Sequence, residues 1–279
     1  MQQRALTIAR LLRPFDVTNA RKIRVGGDAD GGYVMLDDFE GIETAFSLSV
    51  GPNVDWDYEV AQRGLPVHQF DHTVEGPPRK HDNFHFHRRM IVPTEMEDAD
   101  TLTSMLDLAV THRPQSSILK IDIENAELGV FAHATPEVLR KFSQVLCEFH
   151  AFEFFHLDHH YEIALQGLIN LKKQFEVTHV HPNNSAGITY INDAPLPFVL
   201  EVTFASRSDT TRNPRERHIQ RLSTCRITIR SQTMIWASLK SEFQTDPLPG
   251  SGTHTSVAER RLPYAKMLEI NNVMKAPRI

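Results

Sequence analysis

The stretch Ser47-Leu-Ser-Val-Gly-Pro-Asn-Val54 decides the fold, together with Asp71 about 20 residues further along the chain. The stretch carries an apolar strand into a turn at Gly51, and Asp71 ends the next short apolar run. In α/β folds that bind adenosyl groups, such a turn lets the backbone approach the ligand, and the carboxylate accepts hydrogen bonds from ribose hydroxyls. The combination predicts a nucleoside-like cofactor, and a simple strand-ending turn residue is the alternative interpretation of Asp71.

Apolar runs with β character recur along most of the chain. We predict seven strands, at 44–50, 66–70, 84–92, 117–123, 144–149, 175–181 and 198–204. Segments with helical spacing lie between them, at 55–63, 99–112, 126–133, 136–142 and 161–174. This alternation predicts an α/β fold, a mostly parallel, Rossmann-like sheet with helices on both faces. The last strand follows a short connection without a helix, which favours an antiparallel final strand.

Two shorter patterns precede this region. Ala5, Ile8, Leu11 and Leu12 share helical spacing and predict an N-terminal helix packed on the domain. The glycine-rich segment 26–32 predicts a turn leading into a strand at 33–36. We divide the chain into an N-terminal helix and β lead-in (1–40), a cofactor-binding domain (41–207) and an extension of unknown role (208–279).

Bulk composition excludes several classes of protein. The net charge is −5, so no overall positive field attracts nucleic acid, and the seven arginines within 207–230 are typical of a solvated surface. No apolar run is long enough to span a membrane. The two cysteines are too few for a disulfide framework, and a reducing, cytoplasmic location is expected.

Charged residues interrupt the apolar strand predicted at 117–123. Lys120, Asp122 and Glu124 lie in or directly after a strand buried on both faces, where charges are costly unless they are paired or used. Ligands of such sheets bind outside the carboxyl ends of the strands, so Asp122 and Glu124 are expected to face the same crevice as Gly51 and Asp71. A structural pair of Lys120 with Asp122 is the alternative.

Two further strand ends carry polar side chains, Glu148, His150, His181, Asn183 and Asn184. We expect an acceptor site there, with His150 and His181 as candidate catalytic bases, because imidazole takes up a proton near neutral pH. A divalent cation such as Mg²⁺ at Asp122 and Glu148, with His150 nearby, is the rival arrangement.

Fifteen histidines invite a second hypothesis, a zinc-dependent hydrolase. His85 and His87 alternate along a predicted strand, and His156, His159 and His160 crowd a short loop. Most loop histidines are solvated or cap a helix. The hydrolase hypothesis also does not explain why Gly51 and Asp71 occur together.

Taken together, the motifs resemble the FkbM family of S-adenosylmethionine-dependent methyltransferases, in the branch of the methyltransferase-like proteins of animals. The similarity covers about residues 20–207, and the matching segments occur in the family's order. They are Arg24-Val-Gly-Gly-Asp-Ala-Asp-Gly-Gly-Tyr33, Phe46-Ser-Leu-Ser-Val-Gly51, the Glu59-bearing segment into Phe70-Asp71, Leu119-Lys-Ile-Asp-Ile-Glu124, Glu148-Phe-His150 and His181-Pro-Asn-Asn184.

The resemblance implies a class I methyltransferase sheet and O-methylation of a sugar or natural-product hydroxyl. It implies S-adenosylmethionine at Ser49, Gly51, Asn53 and Asp71, with Asp122 and Glu124 beside the methyl group. The chain departs from the family at Pro52 and Asn53 in the turn, and at Asn125 where glycine is usual. A non-catalytic binding protein on the same fold is the third hypothesis, and the sequence leaves the oligomeric state and the acceptor open.

Overall fold

The computed structural model describes residues 2–17, 20–28, 31–109, 116–183, 186–191 and 194–207, and the backbone of short strands at 219–221, 228–229 and 232–233. Asn184, Cys225 and most of the predicted extension lie outside the described residues. None of the described helices is both long and apolar enough to cross a membrane.

A seven-stranded sheet forms the centre of the molecule. Its strands, labelled in chain order, are β1 (Thr44–Leu48), β2 (Val67–Phe70), β3 (Phe84–His87), β4 (Ser117–Ile121), β5 (Phe142–Phe149), β6 (Phe175–Pro182) and β7 (Leu200–Ser206). Every residue of β1, β2, β4 and β5 is buried, as expected for strands covered on both faces.

The spatial order of the strands is β3-β2-β1-β4-β5-β7-β6. Strands β1 to β5 pair in parallel, whereas β7 lies between β5 and β6 and runs antiparallel to both. The order reverses direction at β1 and β4, which places a ligand crevice at the carboxyl ends of these strands. This is the Rossmann-like sheet with an antiparallel last strand that the sequence predicts, and it is the arrangement of class I methyltransferases.

Six α-helices cover the two faces of the sheet within the described residues. They are α1 (Gln2–Leu11), α2 (Asp55–Gln62), α3 (Leu102–Ala109), α4 (Glu127–His133), α5 (Pro136–Leu139) and α6 (Asp158–Gln174), with a 3₁₀ turn at Phe152–His156. The larger core packs α1, α3, α4, α5 and α6 against one face of the sheet. Helix α6 and α4 approach closely at Gly167, where a Cβ atom would lie 2.5 Å from the Leu128 carbonyl oxygen.

The second core lies under α2 and an N-terminal hairpin, Lys22–Val25 paired with Tyr33–Leu36. Gln144 on β5 anchors this hairpin. Its amide oxygen accepts from the Leu36 N–H at 2.9 Å, and its amide nitrogen donates to the Leu36 and Asp38 carbonyls at 3.1 and 3.2 Å. Because side chains alternate along a strand, Lys120 and Gln144 face this hairpin, whereas Leu119 and Val145 face the larger core.

Several predicted boundaries differ from the structure. The strand expected at 84–92 ends at His87, and a separate pair, Met90–Ile91 with Ala99–Asp100, follows. Helix α3 therefore begins at Leu102 instead of Ala99. The helix expected at 136–142 stops at Leu139, because Phe142 already pairs with Ser117 in the sheet.

Candidate functional site

Four residues with left-handed backbone lie at the carboxyl ends of β1, β4 and β5. They are Ser49 (φ 70°), Glu124 (φ 56°), Asn125 (φ 83°) and Ala151 (φ 69°), and Asp98 is the remaining described non-glycine residue with positive φ. Positive φ is costly for residues other than glycine and concentrates at functional sites. The backbone strain thus gathers at the same edge of the sheet where the topology places the crevice.

A hydrogen bond fixes the start of the turn after β1, and the space beside Gly51 is open. The Ser49 N–H donates to the Phe70 carbonyl at 2.8 Å, which ties the turn to β2. Gly51 has φ 56°, and a Cβ atom built there would meet no atom within 4 Å. The turn therefore exposes backbone to an open space, as the approach of a ligand requires.

Asp71 braces this turn with both carboxylate oxygens. Oδ2 accepts from the Val50 and Gly51 N–H groups at 2.9 and 3.1 Å, and Oδ1 accepts from the Thr73 N–H and hydroxyl at 2.7 and 2.6 Å. Burial alone would raise the pKa of Asp71, but these hydrogen bonds outweigh it and lower the pKa. A carboxylate has about four acceptor sites, so ribose hydroxyls would have to share them.

Asn53 lies two residues before the helix that follows the turn. Its side-chain oxygen accepts from the Asp55 N–H at 2.9 Å, a local bond typical of asparagine at a helix start. The hairpin turn comes close on its other side, since a Cβ atom on Gly31 would lie 2.8 Å from the Asn53 amide nitrogen. The contacts of Asn53 thus join the Gly51 turn to the N-terminal hairpin.

Lys120 is a buried cation under the same turn, 4% exposed. Its ammonium group donates to the Ser49 carbonyl at 3.1 Å and to the Ser47 hydroxyl at 3.4 Å. It also lies 5.7 Å from the centre of the Tyr33 ring, whose hydroxyl is 3.5 Å from Asp122 Oδ2. Lys120 therefore links the left-handed Ser49 to the hairpin and to the carboxylate at the end of β4.

An acidic cluster surrounds His150 at the ends of β4 and β5. The Glu127 Oε1 atom is 3.1 Å from His150 Nδ1 and accepts the Ile123 N–H at 2.8 Å. The other ring nitrogen, Nε2, lies 3.9 Å from Asp122 Oδ1, 3.9 Å from Glu124 Oε2 and 3.7 Å from Glu148 Oε1. The structure thus brings together four of the predicted site residues, Asp122, Glu124, Glu148 and His150, and adds Glu127.

Charge in this cluster shifts two pKa values. Burial lowers the pKa of His150, but the bond to Glu127 and the charges of Glu127, Asp122 and Glu148 raise it to about 10. Burial raises the pKa of Asp122 to about 6, against the lowering effects of Lys120 and His150. His150 is therefore an imidazolium at neutral pH in this state of the site.

His181 has different neighbours from His150. Its ring stacks on His179 with centroids 6.3 Å apart, and burial together with the charge of Arg24 lowers its pKa. Asn183, two residues on, donates to Glu148 Oε1 at 2.9 Å. Strand β7 separates β6 from β5, so only the end of β6 reaches across to the His150 cluster.

Glu127 is the site residue that sequence reasoning missed. It begins α4, is fully buried, and its Oε2 atom has no hydrogen-bond partner among the described residues. The available signal was a single charge between apolar neighbours, Ala126 and Leu128, at the start of a buried helix. Such a charge is retained only where it is paired or used.

Within the described chain, one group of side chains has the geometry of a metal site. It comprises Asp122, Glu127 and His150, with one ligand atom of each within 4.8 Å of the others. The predicted set of Asp122 with Glu148 differs from it by one carboxylate. The proposed zinc ligands of a hydrolase do not form such a group in the part of the chain that is described.

The histidine clusters instead make ring contacts. His68, buried on β2, stacks on His85 at 4.8 Å and reaches His87 through a 3.2 Å contact between ring nitrogens. His159 and His160 lie in the first turn of α6, not in a loop, and their ring centroids are 4.2 Å apart. These histidines therefore pack against neighbouring rings, at the edge of the sheet and in the first turn of α6.

Comparisons with known proteins give a limited result. No protein-family model matches this sequence, and no curated protein matches it. Among solved structures, the crystal structure of the methyltransferase CalO6 is similar at 12% identity and a TM-score of 0.29. The alignment covers 60% of this chain and 58% of the CalO6 chain, so this chain matches less than two thirds of the length of CalO6. The methyltransferase-like fold therefore rests on the strand order, and the FkbM resemblance rests on the motifs.

Proposed function

We propose that this protein is an S-adenosylmethionine-dependent methyltransferase that acts on a hydroxyl group of a sugar or another natural product. One observation carries the proposal. The open, left-handed turn at Ser49 and Gly51 lies at the switch point of a class I methyltransferase sheet, where a cofactor is expected.

The cofactor is proposed to lie across the carboxyl ends of β1 and β4. Ser49, Gly51 and Asn53 offer backbone and side-chain contacts on the adenosyl side, and Asp71 keeps the turn in shape. On the other side, Asp122 and Glu124 supply negative charge beside the positively charged sulfonium. Opposite charges attract strongly in a partly buried site, which favours this orientation.

Methyl transfer to a hydroxyl is a single displacement, in which the acceptor oxygen attacks the methyl carbon at about 3 Å and the sulfur departs as a thioether. Because an alcohol is a weak nucleophile, we propose that His150 or His181 removes its proton. His181 has a lowered pKa and is neutral at pH 7. His150 must first lose its proton, which the positive charge of a bound sulfonium favours.

A cation at Asp122 and Glu148 is the rival way to activate the hydroxyl, since a metal ion lowers the pKa of an oxygen bound to it. The hydrolase hypothesis has less support, because the histidines that would bind zinc stack on one another and on other aromatic rings. A non-catalytic binding protein on the same fold is the second candidate.

An acceptor screen tests the proposal. The full-length protein is incubated with S-adenosylmethionine and a panel of sugars and hydroxylated metabolites, and S-adenosylhomocysteine is measured. We expect acceptor-dependent product that falls at least tenfold in His150→Ala, in His181→Ala or with a chelator. Cofactor binding without product on any acceptor would favour the non-catalytic hypothesis. Product unchanged in both variants and with the chelator would overturn the assigned bases and the cation.

A further inference from the structure

Three carboxylates lie near the Nε2 atom of His150 but are too distant for hydrogen bonds. Three of their oxygens, on Asp122, Glu124 and Glu148, lie 3.7 to 3.9 Å from the same nitrogen, Nε2. Hydrogen bonds to a ring nitrogen are normally shorter than about 3.2 Å. At these separations charges interact, but Nε2 donates no hydrogen bond to the three oxygens.

Shared coordination explains this spacing. Ligand atoms at about 2.0 to 2.6 Å from one ion lie roughly 3 to 4.5 Å from each other, depending on the angle between them. The 3.9 Å between His150 Nε2 and Asp122 Oδ1 and the 3.1 Å between His150 Nδ1 and Glu127 Oε1 both fall in this range, so an ion bound by one ring nitrogen can share a carboxylate ligand. Several carboxylates also repel one another, and a cation among them removes that repulsion.

Glu127 supplies an independent observation. The side chain is 1% exposed, and its Oε2 atom lacks a hydrogen-bond partner in the described part of the chain. Leaving a buried carboxylate oxygen unsatisfied is costly. The same carboxyl group lies within 4.8 Å of ligand atoms of both Asp122 and His150. A cation bound there would satisfy Oε2.

We propose that Asp122, Glu127 and His150 bind a divalent transition-metal ion, with Glu124 and Glu148 at the rim of the site. The proposal rests on the proposed function and deepens it: Glu127 replaces Glu148 among the principal ligands of the cation, and His150 is then a ligand, which leaves His181 as the base. Glu148 already accepts from Asn183. One imidazole with carboxylates suits Mn²⁺ or Zn²⁺ better than Mg²⁺, which prefers oxygen ligands alone.

Metal titration of the full-length, metal-stripped protein tests the proposal without the cofactor. Mn²⁺ binding is followed by electron paramagnetic resonance of the free ion and by calorimetry, and Zn²⁺ and Mg²⁺ are compared. We expect one Mn²⁺ per chain, with a Kd that rises at least tenfold in Asp122→Asn and in Glu127→Gln. Glu75→Gln, an exposed carboxylate paired with Arg88, is the matched control and should bind like wild type.

Two results would overturn the metal site. One is a folded wild-type protein that binds neither Mn²⁺ nor Zn²⁺ saturably, and the other is wild-type affinity in both site variants. If Glu127→Gln does not fold, the partly exposed Asp122→Asn decides the outcome. A parallel titration with S-adenosylmethionine in a chelator separates the two claims: cofactor binding without metal binding refutes only the metal site, and the reverse refutes only the methyltransferase.

Discussion

At the residue scale, the ammonium group of Lys120 supports the Gly51 turn from below. It donates to the carbonyl of the left-handed Ser49 and is itself buried. Hydrogen bonds from charged donors contribute about 1.5 to 3 kcal/mol. A side chain of similar length without the charge would leave the Ser49 carbonyl unpaired and the turn free to change shape.

We therefore expect Lys120→Met to raise the Kd for S-adenosylmethionine about tenfold, equivalent to about 1.4 kcal/mol. Calorimetric titration measures this change. Lys172→Met is the matched control, because Lys172 lies in the last turn of α6 and pairs with Glu176 on β6. Equal affinities in wild type and Lys120→Met would show that the turn keeps its shape without the ammonium group.

The residue scale also shows what a sequence leaves hidden. The charge of Lys120 in a buried strand was visible, but its partner was not, because that partner is a backbone carbonyl. The same holds for Asp71, whose carboxylate accepts two backbone N–H groups of the turn. Predictions that pair side chains by type therefore miss bonds to the main chain.

At the scale of elements, two side chains of the sheet hold the N-terminal hairpin: Gln144 on β5, and Thr203 on β7, whose hydroxyl donates to the Val34 carbonyl. Gln144 is buried and makes three hydrogen bonds to the backbone at Leu36 and Asp38. Leucine at this position would remove the bonds to the Leu36 N–H and the Asp38 carbonyl, each at a cost of about 1 to 3 kcal/mol, whereas the Leu36 carbonyl would keep the Asp38 N–H. We expect the hairpin to loosen before the sheet does, because these bonds join the hairpin to β5.

We expect Gln144→Leu to speed amide hydrogen exchange throughout Lys22–Val25 and Tyr33–Leu36 while β1 and β4 keep their protection. Mass spectrometry of peptic fragments resolves these segments. Gln166→Leu, an exposed glutamine on α6, should leave the exchange of the hairpin unchanged. Faster exchange in all segments alike would mean that the hairpin and the sheet open as one unit.

A second element-scale prediction concerns acid and the β2–β3 edge. Burial, and then the charges of His85 and His87, lower the pKa of His68 to about 4. An unfolded chain takes up this proton below about 6.5, whereas the folded chain resists it. The stability contributed by neutral His68 is therefore complete above pH 6.5 and is lost as the pH falls toward 4.

The unfolding free energy should accordingly fall more steeply between pH 7 and 5 in wild type than in His68→Gln, by about 1 to 3 kcal/mol. Urea denaturation at the two pH values gives the difference. His72→Gln changes an exposed histidine just after β2 and serves as the control. Parallel curves for wild type and His68→Gln would contradict the effect of burial.

At the scale of the whole molecule, the sheet was predictable and the site only in part. Apolar runs marked all seven strands, and the helix-free connection between β6 and β7 gave the antiparallel last strand. The pairing of Glu127 with His150 was not predictable, because it depends on where the first turn of α4 meets the end of β5. Likewise, the insertion of β7 beside β5 separates the strands that end near His150 and His181.

The central claim is that S-adenosylmethionine binds at the Gly51 turn, and one calorimetric titration tests it most directly. Wild type is compared with Gly51→Asn, which fills the open space at the turn, and with Gly64→Asn. Both glycines have positive φ, both have open space around a built Cβ atom, and asparagine tolerates this backbone. Gly64 follows α2 and lies outside the proposed site.

The account predicts saturable binding by wild type and Gly64→Asn with similar Kd values, and a loss of at least about tenfold in Gly51→Asn. All three proteins should unfold at similar urea concentrations, so the loss reports on the site and not on folding. Binding of equal strength by Gly51→Asn, or the absence of binding by folded wild type, would contradict the cofactor site.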